Sequence, residues 1–123
     1  MVEHLRDATN NLALDEAVIL STCNRTEIYA AGEVSDDAMI GWLASARKIR
    51  PAEIEDHYYC YRGLEALRQL IKVASGMDSL ILGEPQIFGQ IKSAFAVALE
   101  AGTVAAQLNK SFQHAFATAK RVR

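Results

Sequence analysis

Apolar residues fall along this chain in two rhythms. The run Ala17-Val18-Ile19-Leu20 has no polar interruption, as expected of a buried strand. A polar stretch from Ser21 to Glu27 follows, and Ile28-Tyr29 resumes the apolar character, so the pattern predicts two strand-like pieces with Cys23 in the interruption between them. From Ser35 the rhythm becomes helical. Ser35 ahead of Asp36-Asp37 offers a capping hydroxyl and first-turn acids, and Met39, Trp42, Leu43 and Ala46 recur at helical spacing as a core stripe, with Trp42 as packing. A second helix is expected from Arg62 to Ala74, with Leu64, Leu67, Ile71 and Ala74 inward, Glu65, Gln69 and Lys72 on its polar flank, and Gly76 as its stop.

Pro85 suits the first position of a third helix, in which Ile87, Ile91, Ala94, Phe95 and Ala98 face one way until Gly102. The last helix, from about Val104, turns Leu108, Phe112, Ala115, Phe116 and Ala119 inward. Between the first two helices, Pro51 opens an acidic turn and His57-Tyr58-Tyr59-Cys60-Tyr61 has the aromatic bias of a strand, with Cys60 as a core residue. The opening segment, Met1 to Asn10, shows only a weak stripe of Val2, Leu5 and Leu12, and reads as the tail of something else.

Composition narrows the class. The 123 residues suit one domain, and an apolar content of 50% with two prolines and no long apolar run describes a soluble, helix-rich protein without a membrane span or signal peptide. The formal charge of −2 gives no global basic field, so contact with nucleic acid would need a local patch. Lys110, His114 and Arg121 share an outer face of the last helix, which closes on Lys120-Arg121-Val122-Arg123. Phosphate binding and a favourable interaction with the helix dipole both account for that cluster. Cys23 and Cys60 lack metal-ligand spacing, and His4, His57 and His114 have no spaced partners, so no metal site is expected and both thiols read as free in a reducing cytoplasm.

The chemistry concentrates at Ser21-Thr22-Cys23-Asn24-Arg25-Thr26-Glu27-Ile28-Tyr29. Arg25 places a fixed positive charge two residues from Cys23, where it can favour the thiolate and can also grip a carboxylate through two parallel hydrogen bonds. A cysteine with the ordinary pKa of about 8.5 is roughly 3% thiolate at neutral pH; lowering the pKa to about 7 makes it half ionised for roughly 2 kcal/mol of electrostatic stabilisation. A free cysteine is also commonly a small buried hydrophobe, and residue chemistry leaves both readings open.

Two stretches together carry a resemblance. The Ser21–Tyr29 segment, followed about fifty residues later by Val73-Ala74-Ser75-Gly76-Met77-Asp78-Ser79-Leu80-Ile81-Leu82-Gly83-Glu84-Pro85-Gln86-Ile87-Phe88-Gly89-Gln90, closely resembles glutamyl-tRNA reductase, as does the closing Ala119-Lys120-Arg121-Val122-Arg123. The likeness runs from about Asp15 to the last residue and is weakest between Ala31 and Gly63.

The resemblance implies an α+β fold, a small ferredoxin-like sheet packed by helices with a long C-terminal helical segment, and makes residues 1–123 a single catalytic-type domain fragment. It implies conversion of glutamyl-tRNA to glutamate-1-semialdehyde for tetrapyrrole (porphyrin, 5-aminolevulinate) biosynthesis. Cys23 would be the nucleophile that takes the glutamyl group as a thioester, and Arg25 would hold its side-chain carboxylate. Thr22, Asn24, Ser79, Glu84, Pro85, Gln86 and Gln90 would line the glutamate pocket, with Glu27 in support. NADPH is the family's reductant, glutamyl-tRNA its substrate, glutamate-1-semialdehyde aminotransferase a possible partner, and the full-length enzyme a homodimer.

Three departures qualify the expectation. Gln69 stands where the family usually has histidine, and glutamine can orient a group but cannot exchange a proton near neutral pH. The family's first strand and its histidine-containing opening motif do not precede Met1. No G-x-G-x-x-G follows a strand, so no Rossmann domain or NADPH site is expected within these residues. The expected activity of this chain alone is therefore thioester formation or glutamyl-tRNA hydrolysis. The alternatives are a non-catalytic tRNA- or protein-binding module derived from that domain and, more remotely, a thiol redox sensor at Cys23.

Overall fold

The uninterrupted apolar run becomes the centre of the molecule. The structure is a computed structural model that describes residues 1–12, 14–22, 26–47, 63–75 and 87–122. In chain order its elements are α1 (Val2–Asn11), β1 (Glu16–Ser21), β2 (Thr26–Ala31), α2 (Asp36–Arg47), α3 (Leu64–Ala74), α4 (Ile87–Ala101) and α5 (Ala106–Val122). The fold is α+β, as expected, with one two-stranded antiparallel sheet among the described residues. The register runs from Glu16 opposite Ala31 to Ser21 opposite Thr26.

Ala17, Val18, Ile19 and Leu20 are all buried, so β1 is covered on both faces, whereas Thr26 and Ala30 of β2 are exposed. Helices α1 and α4 pack on β1, α5 reaches both strands, and α3 lies against α4 and α5. An aromatic cluster joins these layers. Phe112 of α5 stacks on Phe95 of α4 at 5.0 Å between ring centroids and meets the edge of Tyr29 of β2 at 5.4 Å. Phe112 is fully buried, and Phe116 extends the cluster edge-on.

Local signals set several element ends. Ser35 Oγ accepts a hydrogen bond from the Ala38 N–H at 3.1 Å, the expected cap of α2. The expected stop at Gly102 is a Schellman ending of α4: Gly102 adopts φ +77°, its N–H donates to the Leu99 carbonyl at 3.1 Å, and the Thr103 N–H donates to the Ala98 carbonyl at 3.0 Å.

Three expectations change. The opening segment is a packed helix: Leu5 and Ala8 are fully buried, and the Arg6 Nε–H donates to the Ala101 carbonyl at the end of α4, at 3.2 Å. Its stripe is weak in sequence because an alanine does half of the burying. In α2, Met39 and Trp42 pack against the core, but Ile40 and Ala44 are buried more deeply. Trp42 also donates its indole N–H to Asp7 of α1 at 2.7 Å, which ties α2 to α1. In α3 the inward face is Leu70, Val73 and Ala74, while Leu64 in the first turn is 74% exposed. Periodicity marks that helix correctly, but its packing against α4 and α5 turns the buried face toward the later residues. All five inward residues expected of α5 are buried. The expected stop at Gly76, the helix start at Pro85, the 57–61 strand and the core placement of Cys60 lie outside the described residues.

Candidate functional site

The β1–β2 hairpin holds the chemically distinctive stretch by both its ends. Ser21 and Thr26 form the last register pair, and the connector between them contains Thr22, Cys23, Asn24 and Arg25 in the sequence. Thr22 is half-buried; Cys23, Asn24 and Arg25 lie outside the described residues, as do Ser79, Glu84, Pro85 and Gln86. The strand that delivers the chain to this connector is the most deeply buried one, which fixes the connector's point of departure.

Alongside that point a groove of about 490 Å³ opens between β1 and α4. Leu20 and Ser21 form one wall, and Gln90, Ser93, Ala94 and Val97 form the other. These four α4 residues recur at i, i+3, i+4 and i+7, one stripe of the helix beside the buried stripe of Ile87, Ile91, Phe95 and Ala98. The wall grades from polar to apolar: Gln90 and Ser93 are exposed, whereas Ala94 and Val97 are half-buried. Gly89 widens the mouth, since a Cβ there would meet nothing within 4 Å. Of the residues expected to line a pocket, Gln90 is thus brought to Ser21, the last residue of the strand that leads to Cys23. Its carboxamide both donates and accepts hydrogen bonds and suits a polar ligand group without exchanging a proton.

Glu27 is half-buried on β2, where its Oε1 accepts a hydrogen bond from the Tyr29 hydroxyl at 2.8 Å. The Tyr29 ring is itself held against Phe112, so the carboxylate orientation is tied to the aromatic cluster. Gln69 is half-buried on α3, does not line the groove, and has an interaction of its own.

The far end of β1 contains polar residues that pattern analysis missed. Glu16 is 3% exposed, and its Oε1 accepts hydrogen bonds from the N–H groups of Ala105 at 2.6 Å and Leu108 at 3.0 Å, capping α5 from outside that helix. Beside it the Ala17 N–H donates to the Thr103 carbonyl, and Thr103 Oγ1 donates to the Ala17 carbonyl, both at 2.8 Å. The partners are separated by 86 to 92 positions in the chain, so no local signal announces them.

Among the described residues no group of three His, Cys, Asp or Glu side chains converges on a metal-sized site, and no helix is long and apolar enough to cross a membrane. A dinucleotide is commonly held by a glycine-rich turn between a strand and a helix of a parallel unit. The described strands are antiparallel and joined as a hairpin, which does not fit that cradle.

Comparison with known proteins adds an independent line. The family described as "Glutamyl-tRNAGlu reductase, N-terminal domain" matches residues 1–123. The chain is 52% identical over 119 residues to a glutamyl-tRNA reductase of Saccharophagus degradans, an alignment covering 97% of this chain and 28% of that protein. It is 48% identical over 119 residues to the Idiomarina loihiensis protein of the same name, with the same coverage. The solved structure of glutamyl-tRNA reductase from Methanopyrus kandleri superimposes with a TM-score of 0.77 at 34% identity, covering 100% of this chain and 28% of that one. The chain therefore spans little more than a quarter of the length of these relatives.

Proposed function

The chain belongs to the N-terminal domain family of glutamyl-tRNA reductases, and from that premise we propose that it carries the thiol half of the reaction those relatives are named for. In this reading Cys23, as the thiolate, attacks the carbonyl carbon of the ester that joins glutamate to the terminal ribose of tRNA. A C–S bond forms, the C–O ester bond breaks, and the ribose oxygen leaves, taking from solvent the equivalent of the proton Cys23 released on ionising, so the glutamyl group remains on Cys23 as a thioester. Arg25 holds the glutamate side-chain carboxylate through a bidentate pair, which fixes the acyl carbon relative to the sulfur. Thr22, Asn24, Ser79, Glu84, Pro85, Gln86 and Gln90 bind the rest of the amino acid, and Glu27 supports the connector from β2.

What supports this reading most is the groove that brings Gln90 of α4 beside Ser21, where β1 passes into the Cys23 connector. Gln90, assigned to the glutamate pocket from sequence, borders the same opening as Ser21, which lies nearly seventy positions earlier and directly precedes Thr22. Reduction of a thioester to an aldehyde needs a hydride from NADPH. The part we assign to these residues is formation of the thioester or its hydrolysis. Gln69 takes no acid or base role, because its amide does not titrate.

The test is to incubate the chain with tRNA charged with labelled glutamate, quench rapidly, and follow thioester-linked label beside a Cys23→Ser control. Label that depends on Cys23 is expected. A folded chain that neither acquires label nor accelerates ester hydrolysis would overturn the proposal and leave a binding module.

A further inference from the structure

Charge is segregated along this chain in a way the thiol chemistry does not use. All fifteen acidic residues lie at or before Glu100, while residues 101–123 hold Lys110, Lys120, Arg121 and Arg123 and no acid. The first hundred residues carry nine cations against fifteen acids, so a net-acidic stretch is followed by a net-basic one. Most of that segment is α5, whose inner stripe is buried and whose Gln107, Lys110, Gln113, His114, Lys120 and Arg121 are exposed.

At about 100° per residue, Gln107, Lys110, His114 and Arg121 fall within roughly 60° of one another around the helix. Lys110 and Arg121 mark out about 16 Å of that line. The helix dipole accounts for Lys120 and Arg121 in the last turn but not for Lys110, which lies in the second turn where the dipole gives a cation no advantage. No acid within α5 is available to pair with any of them. The stripe also lacks an aromatic or large aliphatic side chain. A protein interface commonly adds an aromatic anchor beside arginine and a membrane-surface helix needs an apolar face, so a polyanion suits the stripe better than either. Cations interleaved with amides and an imidazole suit a hydrated polyanion with evenly spaced charges.

We propose that the outer face of α5 binds the phosphate backbone of RNA through Lys110 and Arg121, with Gln107 and His114 as hydrogen-bonding neighbours. Given the function proposed above, on which the choice of RNA rests, the partner is the tRNA body while its charged end reaches the Cys23 site. Contacts of this kind release counterions and carry little sequence information.

The experiment measures binding of uncharged tRNA to the full 123-residue chain across a salt series, for the parent, the Lys110→Gln/Arg121→Gln pair and an Arg68→Gln/Lys72→Gln pair on the exposed side of α3. The slope of log affinity against log salt should fall in magnitude by about 2 in the α5 pair, about 1 for each phosphate no longer neutralised, and by less than half as much in the α3 pair. All these positions are exposed, and unchanged thermal melts will show that the variants fold. The proposal is overturned by an unchanged slope in the α5 pair, by an equal loss in the α3 pair, or by no tRNA binding to the parent at low salt. It is also overturned by tighter binding of polyglutamate than of tRNA, which would point to an acidic protein. Thioester labelling on the same preparations separates the two readings. A slope effect with neither label nor accelerated ester hydrolysis leaves the RNA face standing and sinks the thiol chemistry, whereas label or hydrolysis with no slope effect does the reverse.

Discussion

The two ends of β1 are built for opposite tasks. At its start, Glu16 and Ala17 are closed off from water and joined by hydrogen bonds to Thr103, Ala105 and Leu108, so strand, α4 exit and α5 entry meet at one clasp. At its end, Ser21 is exposed beside an open groove whose α4 wall presents Gln90 and Ser93 to solvent. Burial at the first end satisfies every named donor with a nearby acceptor. At the second, Ser21, Gln90 and Ser93 face solvent. A strand clasped at one end and open at the other fixes the point from which the next stretch of chain departs.

The largest test of that contrast is to break the clasp. Glu16→Ala removes a carboxylate that caps α5 and leaves two N–H groups without their acceptor, which should destabilise the chain by about 2–3 kcal/mol. Urea unfolding should show a lower midpoint at unchanged slope; a loss under about 0.5 kcal/mol would mean the clasp contributes little. At the open end, Gln90→Ala should leave stability within about 0.5 kcal/mol, because the side chain is exposed. Its expected effect is on acylation: losing one substrate hydrogen bond slows thioester formation about tenfold, equivalent to about 1.4 kcal/mol. Should unfolding respond and acylation not, Gln90 would belong to the scaffold. The smallest effect comes from Gly89→Ala, which should raise stability by about 0.5–1 kcal/mol by stiffening α4, since the new methyl meets nothing. The same methyl narrows the groove mouth, so a more stable chain with slower acylation is the expected combination, measured by melting and labelling on one preparation.

Much of this arrangement is legible residue by residue. The run Ala17–Leu20 announces a buried strand, Ser35 and Gly102 announce helix ends, and the stripe from Leu108 to Ala119 announces the inner face of α5, because each signal acts within a few residues of itself. The resemblance of the Cys23 and Ser79–Gln90 stretches to one family also lies in the order of residues alone. Leu5 is harder to read, because a short stripe completed by alanine looks like a polar tail until α4 and β1 are present to receive it. The turned face of α3, the cap that Glu16 gives to α5, and the meeting of Gln90 with Ser21 were decided only in three dimensions. The sequence determined where most of the described helices and strands lie, because those are local properties of the backbone and side chain. Tertiary structure alone decided which face each helix buries and which distant polar groups meet, because both depend on the surfaces that neighbouring elements offer.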